Sequence, residues 1–515
     1  MKSTRNLQAA ATTLDDLRGA FGDRLHSGRR SILHRTYLDT FDWRLHRAGA
    51  RLTAQTERRR TTLRWSAADD ADPYVLPIEG SIRFAADLPE GFLRAALEPL
   101  IEVRALLPMG SIRVERLPAR VVDAHGDATL LVDIETWAPV DASGRAAGEQ
   151  HTTTSIRELT EDTNDLEIAL GTLQAAGAEM TAAVDPLVEA ATVRGRRPGD
   201  YNSKPKLPLK PKQPSAKALR AILTHLLDTL EANVDGILKD IDTEFLHDLR
   251  VASRRTRSAL TQIKDVLPQA AVEEFAREFK WLGEVTNRCR DLDVNLLQMN
   301  DYKLQLGIVN DVLDPLQELL ERTRKTEHQL VCRALRSTRF RDLVGEWRNF
   351  LFSDTVEEPP PGADRPIIEV AGARIAKAFR RVVKRGSSLG EEPTAGQLHR
   401  VRIDAKKLRY LLEFFADLYP KREISRLVKQ LKELQDTLGG CNDMEVQRGR
   451  LTSFADQLMT AGEAPPATIF AIGRLADLMA ARQDGYRRHF ASSFSAFADR
   501  DSRKLYRELF AGTGS

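Results

Sequence analysis

The chain has 515 residues, more than one core normally holds, so two or three domains are expected. Hydrophobic residues make up 42% and charged residues 29%, the balance of a folded chain in water, which excludes a wholly disordered or fibrous protein. The 77 Lys and Arg barely exceed the 74 Asp and Glu; a net charge of +3 excludes global attraction to polyanions, so any anion site must come from local clustering.

The N-terminal stretch MKSTRNLQAAATTLDDLRGAF has no basic segment followed by an apolar run. No stretch approaches about 18 uninterrupted apolar residues, so neither a signal peptide nor a membrane span is expected and the cytoplasm is the default location. The three cysteines, Cys289, Cys332 and Cys441, are few and far apart, which argues for a reducing compartment. No Cys-x-x-Cys or His-x-x-x-His spacing calls for a metal, and no cofactor is expected.

Up to residue 193 the pattern is strand-like. RSILHRTYLD, ARLTAQT, TTLRWSA, SIRVERL, ARVVDA and ATLLVDIETW are short runs, several alternating, with helical stretches near 90–107 and 164–192. Residues 1–193 are therefore expected to form an α+β domain built on an antiparallel sheet. The Pro- and Lys-rich stretch 194–214 (RGRRPGDYNSKPKLPLKPKQP) cannot form a continuous helix and reads as an extended linker.

From 215 to 515 the signal is helical: 215–238, 244–265, 271–300 and 303–353, then a proline-rich break at 357–366, then 367–385, 395–419, 422–460 and 466–511. The halves repeat. LHDLRVASRRTRSAL begins at Leu246 and LHRVRIDAKKLRYLL at Leu398, an offset of 399 − 247 = 152 counted between the histidines. The same offset takes Arg250 to Arg402, Arg254 to Lys406, Arg255 to Lys407 and Arg257 to Arg409. It continues from Arg277 to Lys429, Lys280 to Lys432, Cys289 to Cys441 and Asp291 to Asp443. A duplicated helical unit, with repeats at about 215–353 and 367–511 arranged by a pseudo-two-fold, follows.

At about 100° per residue, His247, Arg250, Arg254 and Arg257 share one helix face, as do His399, Arg402, Lys406 and Arg409. The opposite faces are apolar. A cationic face is often simply solvated, and each histidine could be a hydrogen-bonded structural residue. Against the first reading, the rows themselves carry no acidic residue, like charges at i,i+3 or i,i+4 cost about 0.2–0.5 kcal/mol per pair, and the pattern occurs twice. An external anion would offset such repulsion. Arg forks suit phosphoryl oxygens, Lys supplies point charge, and His donates or, when protonated, adds charge. On the next helix Arg277 and Lys280, and their counterparts Lys429 and Lys432, add cations. Asp291 and Asp443 read as orienters of neighbouring cations, since one carboxylate per repeat is too few for Mg²⁺.

The motifs FLHDLRVASRRTRSAL and QLHRVRIDAKKLRYLLEFF, with RDLDV and LKELQDTLGGCND, resemble the CHAD family of histidine-bearing helical domains over about residues 215–510. The resemblance implies a pair of four-helix units binding inorganic polyphosphate in a basic central cavity, with polyphosphate granules and their proteins as the setting. RTYLDTFDWRLHRAGARLTAQ, RVERLPARVVDAHGDATLLVDIE and NDLEIALG resemble, more weakly, the CYTH family of triphosphate-tunnel proteins. That resemblance implies a barrel-like tunnel, for which Arg51, Arg64, Arg113 and Arg120 are candidate cations and Asp133, Glu135 and Glu167 candidate carboxylates. Residues 1–30 lack the family's Glu-x-Glu-x-Lys metal motif. The expectation is thus a non-catalytic polyphosphate-binding protein, with no membrane partner. The alternatives are a metal-dependent triphosphatase in the N-terminal domain, or nucleic-acid binding by the basic helices. Nucleic acid is disfavoured because Tyr410 is the only aromatic clearly on a basic row.

Overall fold

The structure is a computed structural model that describes residues 4–8, 13–67, 73–160, 164–177, 184–203, 207–307, 311–353, 358–390 and 393–510. The chain divides into two units, 1–202 and 203–515.

The first unit is one antiparallel sheet. Its strands are β1 (Thr4–Gln8), β2 (Leu25–Ser27), β3 (Ser31–Thr40), β4 (Arg51–Glu57), β5 (Arg60–Ser66), β6 (Tyr74–Ile78), β7 (Leu106–Val122), β8 (Ala128–Val140) and β9 (His151–Glu158). The hydrogen-bonded order is β1-β9-β8-β7-β3-β4-β5-β6, with β2 on β7. Local chemistry turns the chain at each hairpin. Between β7 and β8 the Asp123 carboxylate accepts from the backbone N–H of His125 and Asp127 at 2.8 and 2.9 Å. Asp141 does the same for Ser143 and Arg145 between β8 and β9. Such Asx turns reverse the chain without a side-chain partner elsewhere.

Five helices, α1 (Thr13–Phe21), α2 (Arg44–Arg47), α3 (Phe92–Ile101), α4 (Asp165–Ala175) and α5 (Pro186–Val193), accompany the sheet. Strand alternation gives the sheet two unlike faces. One face packs Val121, Leu130, Val132 and Ile156 against α1 and α4, and Leu52, Leu63 and Trp65 against α3. The other packs Leu33, Ile112, Val114 and Trp137 against Leu187, Ala190 and Ala191 of α5. Gly110 lets α5 sit there, because a Cβ at that position would lie 2.4 Å from the Ala190 carbonyl carbon. Beyond α5 this second face is polar.

The second unit holds α6 (Ser215–Leu238), α7 (Thr243–Gln262), α8 (Gln269–Val285), α9 (Asn287–Leu297), α10 (Met299–Leu306), α11 (Asp314–Leu335) and α12 (Thr338–Phe352) in its first half. The second half holds α13 (Ile367–Ser387), α14 (Ala395–Phe414), α15 (Lys421–Ala461), α16 (Pro466–Phe497) and α17 (Arg500–Phe510). The 152-residue offset fixes every segment start: Ser215 and Ile367, Thr243 and Ala395, Gln269 and Lys421, Asp314 and Pro466. The start signals repeat too. Pro214, Pro268, Pro366 and Pro420 precede helices, while Asp242 and Thr394 cap α7 and α14 through their side chains.

Each repeat thus has four segments, but they are not four unbroken helices. The third segment runs 41 residues without a break in α15 and is split into α8, α9 and α10 in the first repeat. Thr286 sits at the first break and hydrogen-bonds back to the Leu282 carbonyl at 2.7 Å, which competes with the helix ladder. Leu438 occupies the equivalent place in α15 and offers no such competition.

The two repeats are joined reciprocally. Ser215 N–H donates to the Arg365 carbonyl at 2.9 Å, and Ile367 N–H donates to the Gln213 carbonyl at 3.0 Å. Ala216 donates to Ala363 and Ile368 to Pro211 in the same relation. Each bond maps onto its mate by adding 152 to the donor and subtracting 152 from the acceptor, the signature of a two-fold contact. A second contact is apolar: Met299, Tyr302, Leu306 and Leu320 share one cluster with their equivalents Leu451, Phe454, Leu458 and Ile472.

The Pro/Lys stretch is tied down at both ends. Arg196 forks onto Asp200, which also accepts from the Trp43 indole at 2.8 Å, within the first unit. The 211–216 stretch carries the reciprocal bonds of the second unit, and 204–206 lie outside the described residues. Among the described residues no helix is long and apolar enough to cross a membrane. The three cysteines are buried and free.

Candidate anion-binding sites

In the helical unit, α7 and α14 touch each other across the repeat boundary, and each also packs on the next segment of its own repeat. Their apolar sides (Leu249, Leu260, Val401, Leu408, Leu412) are buried. The cationic side of α7 faces a cavity of about 400 Å³ lined by Arg250, Arg254, Arg257, Lys280 and Glu284, all from the first repeat.

Arg250 is held in place without any carboxylate. Its guanidinium donates to the Gly283 carbonyl, the Thr286 hydroxyl and the Asn287 side-chain oxygen, each at 2.8 Å. Burial, and next the Arg254 charge, push its pKa down to about 10. Arg254 is exposed, and neither it nor Arg257 forms an ion pair among the described residues. From the other repeat, Lys406 is lowered to about 8, first by burial and then by Arg402 and Arg254. Thus the Lys406 ammonium feels Arg254 of the opposite row.

The remaining row members are more settled. Arg402 pairs with Asp443 at 3.0 Å, and Arg409 with Glu413 at 2.6 Å. His399 Nδ1 donates to Asn442 at 2.6 Å and its ring is exposed, while His247 is half-buried. The rows themselves carry no acidic residue, but acids outside them reach two of their cations. Asp443 reaches Arg402 from α15, and Glu413 lies one turn beyond Arg409 on the same helix. Arg255, expected with the binding cations, is 7% exposed and turned away. It crosses to Glu413 at 2.6 Å and to the Ser203 carbonyl at 3.0 Å, so it joins the repeats. Arg277 is exposed beside Glu278, at 3.9 Å, and Lys280 reaches Glu284 at 3.5 Å. Lys429 and Lys432 are exposed and Lys407 half-buried, none with an ion pair among the described residues. Asp291 pairs with Arg450 of the opposite repeat at 2.5 Å. Sequence reading missed Thr286, Asn287, Glu413 and Asn442, neutral or acidic residues whose role depends on which helix lies alongside.

The sheet unit has its own cavity, of about 600 Å³, on the polar part of the α5 face. Of the residues expected there, Arg51, Arg64, Asp133 and Glu135 line it. Arg113 projects from the other side of β7, paired with Glu115 at 3.0 Å. Arg120 is exposed near the end of β7, and Glu167 is exposed on α4. Arg35, Tyr37, Arg116 and Asp185 complete the cavity. The carboxylates are spoken for. Arg35 forks onto Glu135 at 2.9 and 2.7 Å, Arg116 onto Asp133 at 2.8 and 2.8 Å, and Arg51 reaches Asp185 at 2.7 Å. A divalent cation of the kind tunnel proteins use would need these oxygens and would strand the arginines uncompensated. Among the described residues no group of three or more His, Cys, Asp or Glu could hold a metal. The residues present do not fit that ion.

A duplicated four-segment helical unit closed by a pseudo-two-fold is the class of domain this fold defines. Residues 221–452 match the CHAD domain family, and the helical unit contains a CHAD domain. The uncharacterized protein Rv2226 of Mycobacterium tuberculosis is 23% identical over 386 residues, 71% of this chain and 71% of that protein. The CHAD domain of the plant Ricinus communis is 25% identical, covering 58% of this chain and 96% of that one, with a TM-score of 0.49. HpAC1 from Hippeastrum, described as having a dominant triphosphatase activity, is 14% identical, covering 39% and 100%, with a TM-score of 0.27.

Proposed function

We propose that this chain binds inorganic polyphosphate between α7 and α14, that it does so without catalysis, and that it works at polyphosphate granules in the cytoplasm. One observation carries the reading: Arg254 and Lys406 come from equivalent positions of the two repeats and lie within each other's field, with no ion pair for either among the described residues. Two facing cations cost energy unless an anion lies between them. A flexible chain with about one negative charge per phosphate can meet both rows and gain from simultaneous engagement. Arg250, prearranged by neutral acceptors, keeps its full charge for the ligand. The locked carboxylates of the sheet unit support the non-catalytic part.

Nucleic acid offers the same phosphate charge but also bases, which single-strand binders stack on aromatic side chains. The experiment is competition at one fixed salt concentration between labelled polyphosphate and single- or double-stranded DNA of equal phosphate content. Polyphosphate should displace DNA at a much lower phosphate concentration. Equal competition would point to a general polyanion binder, and the reverse order to nucleic acid.

A further inference from the structure

The sheet-unit cavity has a charge pattern that nothing above accounts for. Strand register puts its residues on one face. Arg35 lies opposite Gln55, Tyr37 opposite Thr53, Thr53 opposite Arg64, Arg116 opposite Glu135, and Glu135 opposite Thr153. Four arginines meet three carboxylates there. Three pairs close on themselves, and Arg64 is left with no hydrogen bond or ion pair among the described residues. Burial, then the neighbouring Arg35 and Arg116, lower its pKa, which is the mark of a cation held among cations. Directly across from it Thr53 is only 7% exposed, and its hydroxyl has no partner among the described residues. Ser66 and Thr153 add hydroxyls to the same face. An unpaired guanidinium facing the unpartnered hydroxyl of a largely buried threonine is an arrangement that an oxyanion would complete.

We propose that this cavity is a metal-independent site for one compact phosphate group, either free orthophosphate or the terminal phosphate of a small phosphomonoester, seated on Arg64 and Thr53. The charge balance sets the size of the ligand. One uncompensated cation matches one phosphate group. A triphosphate would bring several negative charges against three carboxylates already on the cavity wall, with a single free arginine to receive them. A divalent ion is not required, because Asp133 and Glu135 are neutralised by Arg116 and Arg35. The cavity's remaining volume, with Tyr37 and Pro73 on its wall, leaves space for water or a small organic group beside the phosphate.

The test is calorimetry on the full-length chain in EDTA with orthophosphate, comparing wild type, Arg64→Gln and Arg64→Lys. Because Arg64 bonds to nothing among the described residues, neither substitution should unfold the unit, and the thermal midpoint checks this. Wild type should show a phosphate-binding component that Arg64→Gln loses by at least tenfold in affinity and Arg64→Lys largely keeps. Glycerol phosphate competing for that component assigns the ligand to phosphomonoesters. Failure to compete, with orthophosphate still bound, assigns it to free phosphate. The proposal is overturned if Arg64→Gln keeps the component, if the component appears only when Mg²⁺ is added, or if triphosphate occupies it more than tenfold more tightly than orthophosphate. Phosphate bound by the helical unit would persist unchanged in Arg64→Gln, which keeps the two sites distinguishable.

Discussion

Arg254 and Lys406 hold equivalent positions in the two repeats, and the charge of the first helps to hold the ammonium of the second down at about 8. Under the proposed function, that coupling would join the two repeats at one site. It also makes the site sensitive to pH above neutrality, where free histidines no longer titrate.

Polyphosphate affinity should fall as pH rises from 7 to 9.5. An unperturbed lysine titrates near about 10.4, and in the empty site Lys406 is depressed to about 8 by burial, Arg402 and Arg254. A bound anion favours the protonated form, so binding takes up a proton once the pH passes about 8. The sign for folding is opposite. Between the folded and unfolded values the unfolded chain holds more protons, so this lysine's cost to the empty fold is present below about 8 and is relieved as pH rises. Binding isotherms of wild type and Lys406→Met across this range check the first statement. A variant whose pH slope matches wild type would refute it.

Breaking the Arg255–Glu413 pair should destabilise the helical unit. Arg255 is buried, and Glu413 is its carboxylate partner from the other repeat. Removing one partner of a buried pair costs on the order of 3 kcal/mol. Glu413→Ala should therefore lower the urea midpoint with little change in slope. Its loss also frees Arg409, so polyphosphate binding by the surviving folded protein should hold or strengthen. An unchanged midpoint would mean that the pair is screened.

Purified protein should release no phosphate from tripolyphosphate or polyphosphate with Mg²⁺ or Mn²⁺. The arginine forks on Asp133 and Glu135 leave no free carboxylate pair for a metal. Colorimetric phosphate release that vanishes in Asp133→Asn or Glu135→Gln would contradict this.

Much of the helical unit was legible in the sequence because histidine and cation positions recur at a fixed offset, and the helix starts obey the same offset. The reciprocal bonds of Ser215 and Ile367 were not legible, since they are made by proline-rich backbone rather than by side-chain pattern. In the sheet unit the alternating apolar runs revealed β3, β4, β5, β7 and β8. They missed β6, which contains Pro77, and β9, whose HTTTSIRE is too polar to show an apolar face. The cavity was half visible. Arg51, Arg64, Asp133 and Glu135 stood out, whereas Arg35 and Arg116 lie in strands whose faces are set only by register. Asp185 arrives on α5, far along the chain. Asp443 was read as an orienter of a neighbouring cation and pairs with Arg402, whereas the pairing of Arg255 with Glu413 across the repeats was missed for a related reason. A helix wheel shows what a helix presents, not what the adjacent helix brings to it.

Binding should also weaken steeply with salt, because a site built from arginines and lysines displaces the ligand's counterions, by analogy with nucleic acid. The slope of log affinity against log salt should drop by about one for each phosphate-contacting cation removed, so Arg254→Ala should flatten it. Lys504→Ala, on an exposed position of α17 outside the rows, is the matched control. Equal slopes for the two variants would place the ligand elsewhere on the surface.

The measurement that bears most directly on the shared site is titration of the full-length chain with short polyphosphate, comparing wild type with R250A/R254A and with R402A/K406A. Wild type should bind one chain per protein. Each double variant should lose most of the affinity although the other row is intact, because charge-assisted contacts worth about 1.5–3 kcal/mol apiece are removed from a ligand that spans both rows. Two double variants that each keep near-native affinity at half the stoichiometry would contradict the account, for that is the behaviour of two independent sites.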